Sequence, residues 1–152
     1  MIQKFKKFTK LSAEEKKLFL EAYVTLGIMR AAILTVSFKR LTRSLEHFPK
    51  KMEIAALNDN EISIAIAVGQ AITRASAHTP WESACLAQSL TAQKMLQKRG
   101  IPGVFYLGAM KDEEAESKMK AHAWSQCGET IITGGSGHED FTVLSVFGWG
   151  KE

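Results

Sequence analysis

Residues 80–109 read PWESACLAQSLTAQKMLQKRGIPGVFYLGA, and residues 121–135 read AHAWSQCGETIITGG. Reading these two stretches decides the fold. The glycine-free run from Ser83 to Lys98 predicts a helix, and Gly100-Ile101-Pro102 is a stop signal, with Gly just past the helix and Pro behind it. VFYLGAM, which follows, is rich in β-formers and reads as a strand. AHAWSQ and TIIT are strands flanking Cys127-Gly128, a predicted two-residue hairpin turn, and FTVLSVF alternates as a last strand. Between the first two strands KDEEAESKMK is a charged loop.

Upstream, NDNEISIAIAVGQAITRAS reads as a helix with caps available at Asn58 to Asn60, preceded by a linker near Pro49. A longer helix opens at Ser12, with Glu15 three residues on as a capping box. Its apolar run is interrupted by Glu21 and Arg30, short of the roughly 20 apolar residues a membrane span needs, and no cleavage site follows. The reading is a packed helix, any exposed remainder of which a partner protein or the membrane surface could cover. Helices first and an antiparallel sheet after them make an α+β domain: a basic helical region over 1–52 and a core over 53–152, compact as one body.

The 152 residues carry a net charge of +4, which hides an asymmetry. Residues 1–51 hold 12 Lys and Arg against 4 Asp and Glu, and the rest hold 8 against 12. The basic residues Lys39, Arg40, Arg43, Lys50 and Lys51 have no interleaved aromatics, so they read as a solvated or docking face and no nucleic acid is expected. Cys85 and Cys127 match no zinc or disulfide spacing, which points to a reducing, cytoplasmic setting with no metal or cofactor.

Cys85 reads in two ways. With Ser83 as N-cap it sits in the first helical turn, where unbonded N–H groups and the macrodipole favour a thiolate. Thr79 to Glu82 is also a capping box, however, and a helix starting there moves Cys85 to the second turn. Taken alone, a free Cys is most often a small buried hydrophobe. Of the four histidines, His47 lies in a basic helical stretch, His78 in a loop, and His138 behind a Gly-Ser-Gly loop. His122 differs: it stands in a strand between two alanines, and a strand-borne imidazole facing a helix-borne thiol is how papain-like sites activate cysteine.

The Pro-Trp, the Cys-Leu-x-Gln-x-Leu helix, the Arg-Gly-Ile-Pro stop and the His-Ala-Trp strand together resemble transglutaminase-like cysteine peptidases that process lasso-peptide precursors. The resemblance is to the split form, in which leader recognition belongs to a separate small protein. It implies a papain/transglutaminase-like core and removal of a leader from a precursor peptide, near a threonine placed second from the leader's end. It also implies an ATP-dependent macrolactam synthetase as a further partner. Cys85 would be the nucleophile and His122 the general base and acid, with Trp81 or Gln88 as packing residues near the site. The family's usual pattern has an Asp that orients the imidazole. A turn at Cys127-Gly128 pairs His122 with Thr133, so Thr133 is expected in the orienting place, with Asp140 the nearest downstream acid. Two further functions stay open: a transglutaminase-type acyl transferase, and a non-catalytic scaffold in which Cys85 is merely buried.

Overall fold

The computed structural model describes residues 11–48, 54–80, 84–111 and 119–150. Chain order is α1 (Ala13–Thr35), α2 (Phe38–Leu41), β1 (Glu46–Phe48), α3 (Asp59–Ser76), α4 (Cys85–Lys98), β2 (Gly103–Lys111), β3 (Met119–Cys127), β4 (Thr130–Thr133) and β5 (Thr142–Trp149), with a 3-10 turn at His138–Asp140. This is the expected α+β class, except that β1 precedes α3 and α4 instead of following them. The linker near Pro49, Trp81 to Ser83 and residues 112–118 of the charged loop lie outside the described residues.

Both long N-terminal helices begin where their caps predict. Ser12 Oγ accepts the Glu15 N–H at 3.1 Å, while the Glu15 carboxylate accepts the Ser12 N–H at 3.2 Å. Asn58 and Glu61 repeat the box at the start of α3, at 2.8 and 3.2 Å. Such caps satisfy donors that the first turn leaves without intrahelical acceptors. At its other end α4 stops as read: the Gly100 N–H donates to Gln97 O and the Ile101 N–H to Leu96 O, both at 3.0 Å.

The five strands form one antiparallel sheet in the order β1-β5-β2-β3-β4. Helices α3 and α4 pack on one sheet face, and α1 packs on those two helices. Leu26, Ile72, Leu90, Leu96 and Phe105 fill that core, each contributing about 1.5–3 kcal/mol by burial. Arg99 closes the bundle from α4 to α1, its guanidinium 2.5 Å from the Glu21 carboxylate. Hydrogen bonds from Arg99 hold the Glu21 carboxyl below its ordinary range against the opposing effect of burial.

Two expectations change. His47 is not helical but lies on β1, opposite Phe147 on β5, with the rings stacked at 4.7 Å. The edge of β5 supplies the backbone partners that an isolated basic stretch lacks, and the aromatic pair adds cross-strand packing. The β3–β4 register also shifts: Cys127 pairs with Thr130, making Gly128-Glu129 the turn, and a bulge at Ser125/Gln126 leaves Ser125 opposite Thr133. Burial decides this. Cys127 is fully enclosed in the helical core, a place no turn residue could hold.

Candidate functional site

Helix α4 starts at Cys85 with Ala84 as its N-cap, one residue later than Ser83, so the thiol stands in the first turn and not the second. Ala84 offers no side-chain cap, whereas α1, α2 and α3 each have one, from Ser12, Ser37 and Asn58. A missing cap costs about 0.5–2 kcal/mol and leaves first-turn N–H groups available to an outside acceptor. Cys85 itself is half-buried and unpaired with Cys127.

Along the sheet, this helix end comes level with His122. Only four residues separate Lys98 from β2, so the chain turns straight back along the sheet that α4 covers. Thirteen helical steps span roughly 20 Å, and five strand steps from Gly103 to Gly108 span roughly 17 Å. The thiol end of α4 is therefore level with Gly108, and Gly108 pairs with His122 on β3. Beyond Ser125 the outer edge of β3 no longer pairs with β4. Among the described residues no hydrogen bond joins Cys85 to His122.

Strand alternation puts Cys127 and Ser125 on the helical face and His122 with Trp124 on the other. There the imidazole is held between Trp124, at 5.6 Å and 24°, and Phe141, at 5.1 Å. The buried Trp124 ring also stacks on Tyr106 and reaches over Gly108, where a Cβ would come within 2.9 Å of it. Tyr106 has its phenol pKa raised by burial in this layer.

His122 Nε2 lies 2.6 Å from the carbonyl oxygen of Gly134. A carbonyl only accepts, so Nε2 carries the proton and Nδ1 keeps a lone pair for an incoming acid proton. Gly134 can present its carbonyl there because its φ is +72°, and because a Cβ would sit 2.4 Å from Ala123 O. The next carbonyl, of Gly135, is held in turn by His138 Nδ1 at 2.6 Å, and the His138 ring packs on Trp124.

Thr133 does not meet His122. It is buried opposite Ser125, with the two hydroxyls 2.6 Å apart. Asp140 lies exposed in the 3-10 turn. Reading side chains alone missed Gly134, because the group that meets the ring is a main-chain carbonyl; the paired glycines after TIIT were the available signal. Burial pushes the Cys127 thiol up to about 12. Trp81 lies outside the described residues, and Gln88 is half-buried one turn along α4. Among the described residues no cluster of three His, Cys, Asp or Glu could hold a metal ion.

The sequence pattern of the Transglutaminase-like superfamily matches residues 31–146, most of the chain and the whole of this constellation. The chain belongs to that superfamily. No curated protein matches the chain significantly, and no solved structure does either. Membership implies activity of the cysteine peptidase or acyltransferase kind, and the α+β arrangement of a cysteine-bearing helix on an antiparallel sheet agrees with it.

Proposed function

We propose that this transglutaminase-like protein is a cysteine peptidase that removes the leader from a lasso-peptide precursor, with Cys85 as nucleophile and His122 as general base and acid. The observation that supports it best is the contrast at the helix starts. Three helices are capped by side chains, while the helix that begins with a cysteine is left with uncapped amides. In this reading His122 Nδ1 takes the proton from Cys85 Sγ as sulfur attacks the scissile carbonyl. The first-turn N–H groups of α4 then stabilise the oxyanion. Collapse breaks the C–N bond, the imidazolium protonates the leaving amine of the core peptide, and a thioester to the leader remains. Water then loses a proton to His122, attacks the thioester and releases the leader acid and the free thiol. The Gly134 carbonyl keeps the ring oriented throughout, taking the place for which Thr133 was expected.

A separate leader-binding protein would present the precursor, and a macrolactam synthetase would consume the freed core. Arg40, Arg43 and Lys94 line a groove of about 330 Å³ that suits an acidic stretch of such a partner. The test is leader removal followed by mass spectrometry, with a precursor whose leader carries threonine second from its end. Wild type with the leader-binding protein should cleave, Cys85→Ala should not, and Cys127→Ala should. Charge reversal at Arg40 and Arg43 should weaken the partner's help. A product carrying an added amine instead of a new acid would favour the acyl-transferase reading, and cleavage by Cys85→Ala would refute the mechanism.

A further inference from the structure

Helix α1 is apolar on two opposite sides. Ala22, Leu26 and Met29 face the core, and the opposite side presents Leu20, Val24, Ile28 and Leu34 to solvent, each more than half exposed. At 100° per residue these four, with the exposed Ala31, form one stripe roughly 21 Å long. No charged residue falls on that stripe between Lys17 and the end of the helix.

The charges cluster at its ends. Lys16 and Lys17 flank the stripe at the N-terminal end, beyond them the sequence places Lys4, Lys6, Lys7 and Lys10, and Lys39 follows the other end. Of the acids, Glu15 caps Ser12 and faces Arg74, Glu21 is held by Arg99 and Lys98, and Glu14 stands exposed in the first turn, outnumbered by Lys16 and Lys17. A second copy on this stripe would set lysines against lysines whether the helices ran parallel or antiparallel, and like charges oppose such a contact. The fitting occupant is apolar under the stripe and negative at its ends.

We infer that the outer face of α1 is a membrane-surface docking site, the helix lying in the plane of an anionic bilayer with Leu20, Val24, Ile28 and Leu34 in the acyl boundary and the lysines on the headgroups. Contrary to the reading of this run as too short, Glu21 and Arg30 do not keep the 23-residue helix from being long and apolar enough to cross a membrane by composition. Its inner side is built into the helical core, so it rests on the surface and does not span. The basic end adds attraction that reaches about one Debye length and weakens with salt.

The test is flotation of the purified full-length chain with vesicles of phosphatidylcholine and phosphatidylglycerol at about 3:1, against phosphatidylcholine alone. Wild type should float with the anionic vesicles at least about tenfold more than with the neutral ones, and less at high salt. L20E/V24E/I28E should lose that binding by at least about tenfold while its unfolding temperature and leader removal in vesicle-free buffer hold, because all three side chains point to water. K16E/K17E, which leaves the apolar stripe intact, should weaken binding to anionic vesicles only. Failure of wild type to float, or equal flotation of the triple variant, would overturn the inference. So would a wild-type dimer by light scattering that the triple variant turns monomeric with no vesicle binding in either, since the stripe would then be a protein interface. Leader removal is read separately, so losing one property leaves the other standing.

Discussion

Replacing Gly134 with alanine isolates the contact that orients His122. The residue sits at φ +72°, where an L-side chain costs about 1–2 kcal/mol. Its Cβ would stand 2.4 Å from the Ala123 carbonyl oxygen, and an ordinary carbon–oxygen contact begins near 3.3 Å, so the loop must retreat by roughly 0.9 Å. That displacement carries the Gly134 carbonyl from 2.6 Å to roughly 3.5 Å from Nε2, outside hydrogen-bonding range. Strain and overpacking together should destabilise the protein by about 2–5 kcal/mol. A reacting group misplaced by about 1 Å costs about 100-fold, and the loss should fall on kcat with KM little changed.

The control is Gly137→Ala. Gly137 has a φ of +74° but nothing within 4 Å of a built Cβ, so it carries the backbone strain without the push on the ring. Leader removal by wild type, Gly134→Ala and Gly137→Ala, followed by mass spectrometry well below each unfolding temperature, separates the two effects. Thr133→Ala completes the set: it orphans the Ser125 hydroxyl and should cost about 1–3 kcal/mol in stability while kcat holds. Equal kcat for Gly134→Ala and Gly137→Ala would refute the reasoning, as would a Thr133→Ala protein that unfolds normally yet has lost its kcat.

The two thiols should react differently: iodoacetamide at neutral pH should add once to the folded protein, at half-buried Cys85, and reach the enclosed Cys127 only on unfolding; intact mass and peptide mapping check this. Because Glu21 has its pKa lowered, mainly by Arg99, its contribution is present above the unfolded carboxyl pKa and lost as pH falls through the lower folded value. Glu21→Gln should therefore lower the unfolding temperature at neutral pH and make less difference in acid, an effect of about 1 kcal/mol for a pair partly screened by water. Gly69→Ala should destabilise despite alanine's helix propensity, since its Cβ would meet the Ile132 carbonyl at 2.6 Å; a fall of about 2–4 °C per kcal/mol is the scale to look for in thermal unfolding.

The chain's local chemistry marks most of the elements and singles out Cys85 and His122 as the proposed pair. Ser12 with Glu15 and Asn58 with Glu61 start their helices from contacts three residues apart, and Gly100-Ile101 ends α4 the same way. The cysteine helix, its strand partner with His122, and the resemblance they carry are legible for the same reason: each is a pattern within a single element. What lies between elements is different. His47 reads as helical until the edge of β5 offers it a partner. The hairpin reads with Cys127 in the turn until the core encloses Cys127 and moves the register by a bulge and a residue. With that shift Thr133 leaves His122, and a carbonyl with no side chain to announce it takes the ring nitrogen. Spacing along the chain sets local hydrogen bonds, but a strand's register is chosen by which side chains the rest of the protein buries, and that choice exists only once the chain has folded.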